Sequence, residues 1–190
     1  LFGARFRDLS PHPTSRKYVY RPPMSPIPGK ASAAIGGRSF DLTATITRKK
    51  NDHGVLFSTG TENSGISIFI QNERLVVDYN AFDDHSVVTS NIEIPTGYST
   101  LRAQFQRIKK GGEITIYVNE EPTGSVRIPL FMRMISSVGS SIGYDHGSAV
   151  SPQYESPFPF SGELHQIEIQ LAAKRAPDAD EAQARAENAR

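Results

Sequence analysis

A two-residue alternation of apolar and polar side chains, recurring through the middle of this chain, constrains its fold more than any other feature. Leu42, Ala44 and Ile46 alternate with Thr43, Thr45 and Thr47. Leu101, Ala103 and Phe105 alternate with Arg102, Gln104 and Gln106. Ile114, Ile116 and Val118 alternate with Thr115 and Tyr117, and Ile167, Ile169 and Leu171 with Gln166, Glu168 and Gln170. Successive side chains of a strand point to opposite faces, so each run has one apolar and one wet face. Further strand-like runs lie at Val55–Thr59, Ile66–Ile70, Arg74–Tyr79 and Gly124–Ile128, with turns at Asn51-Asp52, Gln71-Asn72-Glu73 and Asn119-Glu120-Glu121-Pro122. No stretch between residues 38 and 171 sustains a helical period. Many short strands separated by turns predict an all-β fold of two packed antiparallel sheets, a β-sandwich of jelly-roll type. Leu42, Ala44, Ile46, Ile68, Leu101, Phe105, Ile116, Val118, Ile167 and Ile169 are expected on the inner faces.

The ends differ from the middle. Residues 1–35 carry Pro11, Pro13, Pro22, Pro23, Pro26 and Pro28, which remove backbone donors and favour extended chain. They predict a linker, with Lys17-Tyr18-Val19-Tyr20 as a short edge strand. The sandwich is expected over residues 36–171. Residues 172–190 are rich in alanine and charge, with no large apolar side chain after Leu171. A helix there has no stripe to dock, so a helical or disordered tail is expected. The start at Leu1 rather than Met reads as a cut from a longer chain.

Composition narrows the functional classes. The 21 basic and 20 acidic residues leave a formal charge of +1, which gives no general attraction to nucleic acid or anionic membrane. There is no cysteine, hence no disulfide framework or thiol chemistry. With no signal-peptide pattern near the start, a cytoplasmic compartment is the expectation.

His12, His53, His85, His146 and His165 form no pair at metal-ligand spacing. His165 falls on the apolar parity of the last strand and reads as a hydrogen-bonded, half-buried histidine. Gly139-Ser140-Ser141-Ile142-Gly143 has the Gly-x-Ser-x-Gly spacing, but no helical pattern follows it, so it is not read as a nucleophile elbow, and no phosphate-cradling glycine loop occurs. A glycosidase carboxylate pair on one strand needs even spacing. Glu163 and Glu168 are five apart, on opposite faces by strict parity, while Asp78, Asp83 and Asp84 around Asn80-Ala81-Phe82 read as turn and solvated-face residues. Tyr144, Asp145 and His146, flanked by Gly143 and Gly147, form a candidate ligand loop. One carboxylate is thin support for calcium, and Asp145 is expected instead to accept backbone hydrogen bonds within its own turn. No metal or cofactor is expected, and no catalytic residue. Tyr79, Phe82, Tyr98, Tyr144 and Tyr154 read as an exposed aromatic set on which a sugar ring could stack, with core packing or an interdomain contact the favoured role.

Several segments taken in order, among them Gly37-Arg38-Ser39-Phe40-Asp41-Leu42-Thr43-Ala44, Glu73-Arg74-Leu75-Val76-Val77-Asp78-Tyr79-Asn80, Ile142-Gly143-Tyr144-Asp145-His146-Gly147 and Phe158-Pro159-Phe160-Ser161-Gly162, resemble the region after the catalytic domain of bacterial formylglycine-type arylsulfatases. That region is a concanavalin- or laminin-G-like sandwich. The resemblance implies a non-catalytic accessory domain that packs on a sulfatase catalytic domain absent from this chain and shapes substrate access. The sulfatase signature, Cys or Ser followed by x-Pro-x-Arg, is not present, so no activity is implied for this chain alone. In that reading Leu1, Phe2, Phe6, Leu9, Tyr18 and Tyr20 form the interdomain interface. The alternative is a carbohydrate-binding sandwich of laminin-G or concanavalin type.

Overall fold

The computed structural model describes residues 16–172, except Ser25, Lys30 and residues 133–137. The expected interface residues Leu1, Phe2, Phe6 and Leu9, and the tail beyond Ala172, lie outside the described residues. Eleven strands and no helix occur among those described, and so no helix there is long and apolar enough to cross a membrane. In chain order they are β1 Arg16–Tyr20, β2 Phe40–Arg48, β3 Gly54–Thr61, β4 Ser64–Gln71, β5 Arg74–Ala81, β6 Asp84–Thr89, β7 Gly97–Ile108, β8 Gly111–Val118, β9 Glu121–Ile128, β10 Ser140–Ile142 and β11 Glu163–Leu171. All pairings between these strands are antiparallel. A six-stranded sheet runs β1-β11-β2-β7-β8-β9, and a five-stranded sheet runs β10-β3-β4-β5-β6.

Local chemistry sets the hairpins. Asn72-Glu73, Phe82-Asp83 and Asn119-Glu120 each supply two consecutive residues with positive φ, the conformation whose twist matches the flanking strands in a two-residue turn. All ten expected inner-face residues are buried, none more than 2% exposed. Nine of them lie on the six-stranded sheet and share one hydrophobic cluster with Ile68 and its neighbours Ile66, Ile70, Leu75 and Val77 of the five-stranded sheet. The Phe40 and Phe105 rings stack at 4.3 Å within it. Each such side chain contributes roughly 1.5–3 kcal/mol by leaving water.

Three expectations differ from the observed chain. The proline-rich stretch expected as a linker through residue 35 is built into the sandwich from Arg16 onward. Its prolines spare residues 16–20, which pair with β11, and Ile27, Ala33 and Ile35 enter the core. Asp78, read as a turn or solvated-face residue, is a fully buried strand residue. The turn falls two residues later than expected, because Asn80 and Ala81 still pair with His85 and Asp84. Finally, the β11–β2 register shifts between Leu164 and Gln166, and this bulge breaks strict parity. His165 therefore leaves the apolar side. Its Nε2 meets Thr47 Oγ1 at 2.8 Å, and its ring stacks on the exposed Tyr98 at 5.9 Å. Glu163 consequently shares the wet face with Glu168. They stand opposite Thr47 and Thr43, four residues apart on β2, or about 13 Å, too far for a glycosidase pair.

The outer face of the five-stranded sheet is covered. The loop from Gly143 to Phe160 lies across it and closes a second cluster of Val55, Phe69, Val76 and Tyr154, with Val87, Ala149 and Phe158 at its margin.

Candidate ligand-binding shelf

The connections β2–β3 and β4–β5 reach the same end of the sandwich, and the segment around Phe158 joins them. Together they line an open cavity of about 300 Å³ formed by Asn51, Asp52, His53, Gln71, Asn72, Glu73 and Phe158. Its floor is fixed from inside. Arg48, the last residue of β2, is buried. Its guanidinium donates to the Ile94 carbonyl and to the Glu73 carboxylate. Glu73 Oε1 in turn accepts the Asn51 backbone N–H at 2.6 Å. The hydrogen bond from Arg48, reinforced by that N–H, holds the Glu73 carboxyl below its ordinary range.

Asp52 braces the other side. Its Oδ2 accepts the Lys49 N–H at 2.6 Å and its Oδ1 accepts the Ser161 hydroxyl at 3.1 Å. Ser161 Oγ accepts the His53 N–H at 3.0 Å. His53 Nδ1 lies 2.9 Å from the Asn51 carbonyl. Only a protonated Nδ1 can donate to that oxygen, so in the neutral ring Nε2 is an acceptor. The imidazole stacks on Phe158 at 5.5 Å. Phe158 stacks on Tyr154 at 5.2 Å, and both rings meet Phe69 edge-on. A column of rings thus runs from the surface into the second cluster. Phe158 takes a φ of 38°, a left-handed conformation unfavourable for an aromatic residue. Its carbonyl, accepting the Val55 N–H at 2.8 Å, helps to hold it there. Asn51 and Asn72, with φ of 67° and 50°, suit that region better. Among the described residues their side-chain amides have no hydrogen-bond partner, and both residues line the cavity.

The residues singled out in the sequence are placed as follows. The Asp145 carboxylate is buried at 1% exposure. It accepts the Ser58 hydroxyl at 2.9 Å, the Tyr154 phenol at 2.6 Å and the Val150 N–H at 3.1 Å. Only the last is a backbone bond of the kind expected; the Tyr154 bond closes the loop on itself and the Ser58 bond pins it to the sheet. His146 Nδ1 pairs with the Ser141 hydroxyl. Tyr144 lines a separate apolar groove. Among the described residues no three His, Asp or Glu side chains gather as a metal site. Tyr20 is buried in the sandwich's own core and Tyr18 packs against it.

The expected exposed aromatic set does not form one surface. Tyr79 is fully buried, its oxygen accepting the Met132 N–H at 2.7 Å, and burial pushes its phenol up to about 12. Tyr154 is buried beneath the loop. Only Phe82 and Tyr98 are largely exposed, at 70% and 69%, and they sit on different sheets. The shelf itself was not singled out, since its residues read as ordinary turns. The available signal was topological: turns after β2 and β4 return to one end in an antiparallel sheet.

No family model matches the sequence, and no curated protein sequence matches it. Among solved structures, the LG4–5 domains of the mouse laminin α1 chain superpose with a TM-score of 0.51 at 13% identity, covering 84% of this chain and 41% of that one. The LG1–3 region of the laminin α2 chain gives 0.54 at 14% identity, covering 80% and 30%. The fold is laminin-G-like. This chain spans less than half the length of either laminin structure. Nothing in these comparisons supports the sulfatase resemblance of the sequence, whereas the laminin-G-like sandwich that it implied is the fold observed.

Proposed function

We propose that this chain is a non-catalytic recognition module that binds an uncharged saccharide on the shelf. The observation that carries the reading is the pairing of two free amides, Asn51 and Asn72, with the stacked His53 and Phe158 rings on one braced surface. Amides offer both a donor and an acceptor to vicinal hydroxyls, and an aromatic face suits the apolar side of a sugar ring. Bracing by Arg48, Glu73 and Asp52 limits the ordering lost on binding. The two carboxylates that line the shelf are held in place, Glu73 by Arg48 and Asp52 by two donors, and they repel an anionic ligand. That favours a neutral sugar over a sulfated one. The lowered Glu73 carboxyl stays ionised near neutral pH, which unfits it for general-acid catalysis.

An array of neutral and anionic oligosaccharides, followed by calorimetry on the strongest neutral binder, tests the reading. Asn72→Ala and Phe158→Ala are each expected to weaken binding at least tenfold, while the chain still unfolds cooperatively. Absence of neutral-glycan binding, or binding untouched by both changes, would overturn it.

The second reading, an accessory domain packed on the catalytic domain of a sulfatase-like hydrolase, draws on a different surface. An apolar groove of about 250 Å³ lies beside the N-terminal segment, lined by Pro22, Pro23, Met24, Tyr144, Phe160 and Leu164 among others. There Tyr144→Ser would lower the melting temperature of the parent protein and leave glycan binding unchanged.

A further inference from the structure

At the far end of β5 from the shelf, about 23 Å away along the strand, the β5–β6 turn presents an aromatic side chain to solvent. Phe82 is 70% exposed and has a φ of 58°. A turn of this kind ordinarily takes Asn, Asp or Gly at that position, and a bulky aromatic there is disfavoured on both backbone and solvation grounds. Neither local structure nor core packing accounts for it.

The platform beneath Phe82 is rigid. Asn80 is fully buried. Its Oδ1 accepts the Asp83 N–H at 2.8 Å, and its Nδ2 donates to the Glu62 carbonyl at 2.7 Å and to the Val150 carbonyl at 3.3 Å. One side chain thereby ties the β5–β6 turn to the β3–β4 turn and to the loop that covers the sheet. The Glu62 N–H adds a bond to Ser148 Oγ at 3.3 Å. On the two turns so tied together Glu62, Asp83 and Asp84 are exposed, with His85 Nε2 3.8 Å from Asp83 Oδ1, and neither turn carries a lysine or arginine.

We infer that this tip docks an arginine- or lysine-bearing peptide segment of a protein partner, with Phe82 as the anchor. A guanidinium or ammonium group stacks on the ring face, and the surrounding carboxylates accept its N–H groups. The ring is held on a fixed turn, so little freedom is lost when it is covered, as in the anchor residues of protein interfaces. The acidic rim disfavours anionic membranes.

A random peptide display library panned on the wild-type chain, and in parallel on Phe82→Ser, tests this. Peptides enriched on wild type are expected to carry arginine or lysine beside apolar residues. They should bind Phe82→Ser at least tenfold more weakly and lose affinity as salt rises. Phe82→Asn, suited to the turn, should match or exceed the wild-type unfolding midpoint while losing the peptides. No enrichment, enrichment without basic bias, or equal binding to both chains would overturn the inference. So would a lowered midpoint in Phe82→Asn, which would make the ring a structural residue. Phosphatidylcholine vesicles that bind wild type and not Phe82→Ser, with no peptide enriched, would reassign the tip to a membrane surface. Loss of glycan binding on the shelf is a separate result, since none of these side chains lines it.

Discussion

The outer faces of the two sheets begin from strands of similar length and end in opposite states. On the six-stranded sheet, β2 and β7 keep a regular alternation of buried and part-exposed residues. Thr43, Thr45, Arg102 and Gln104 are part-exposed on the wet side, with the Arg102 guanidinium 3.6 Å over the Tyr117 ring. On the five-stranded sheet, β3, β4 and β5 are buried along almost their whole length. Their outer residues include Ser58, Ser67, Asp78 and Asn80, all nearly inaccessible. Polar side chains on a buried face must find partners, and here the covering loop supplies several. Asp145 takes Ser58, Tyr154 meets Ser67 at 2.8 Å, and Val150 offers its carbonyl to Asn80. Asp78 is met instead within the sheet by His85 Nδ1, at 2.9 and 3.0 Å. A bare face is specified strand by strand, whereas a covered one is specified by a loop about 65–90 residues away in sequence.

The largest expected effect breaks the contrast at its apolar centre. Phe69 is fully buried under the cover, against Tyr154 and Phe158. Phe69→Ala should destabilise by about 3–5 kcal/mol through lost burial and a residual cavity. Thr45→Ala on the bare face should stay within about 0.5 kcal/mol of wild type. Urea unfolding of both variants measures the difference. Similar costs at the two positions would mean that the cover is not packed in solution.

Next in size is the polar latch. In Asp145→Asn the amide keeps one acceptor and sets an N–H₂ against the donors of Ser58, Tyr154 or Val150. The cost should be about 2–3 kcal/mol, since hydrogen bonds to a buried charge are lost and a donor is left facing donors. Amide exchange at Val150 should quicken more than exchange in β2 or β7. A uniform rise across both sheets would place Asp145 in the global core rather than at a latch.

The same contrast decides what was legible in the sequence. Leu42, Ala44 and Ile46, with their partners on β7, β8 and β11, could be placed because a half-buried strand writes its geometry into alternate residues. The covered sheet has no such rhythm. Asp78 therefore read as a turn residue because the loop that covers it is distant in sequence, and Tyr154 as exposed because Ser67 and Phe69, on which it packs, are equally distant. His165 is the hydrogen-bonded, half-buried histidine expected, but it stands on the other face, as one extra residue at a bulge reverses parity without marking the composition. The edge strand expected at Lys17–Tyr20 is β1, whereas residues 21–35 read as a linker because their prolines outweigh Ile27 and Ile35, whose burial depends on β10 and the core. At the shelf, each turn was visible alone. Their convergence on Phe158 was not, since it depends on the covering loop.

The smallest effect reads the cover through its own tyrosine. Burial, then the hydrogen bond to Asp145, raises the Tyr154 phenol above its ordinary 10.0. Burial raises Tyr79, which lies in the main core, to about 12. In the unfolded chain both ionise near 10, so above that pH the folded state holds protons that the unfolded state has released. Stability must then fall as pH rises, by up to about 1.4 kcal/mol per pH unit for each buried phenol. The Tyr79 contribution is lost between pH 10 and about 12 and then levels off. Urea unfolding at pH 9, 10 and 11 should give a shallower decline for Tyr154→Phe than for wild type, and likewise for Tyr79→Phe. The two variants separate the regions. A Tyr79→Phe slope that flattens while the Tyr154→Phe slope stays at wild type would mean a closed core beneath a cover that opens to water.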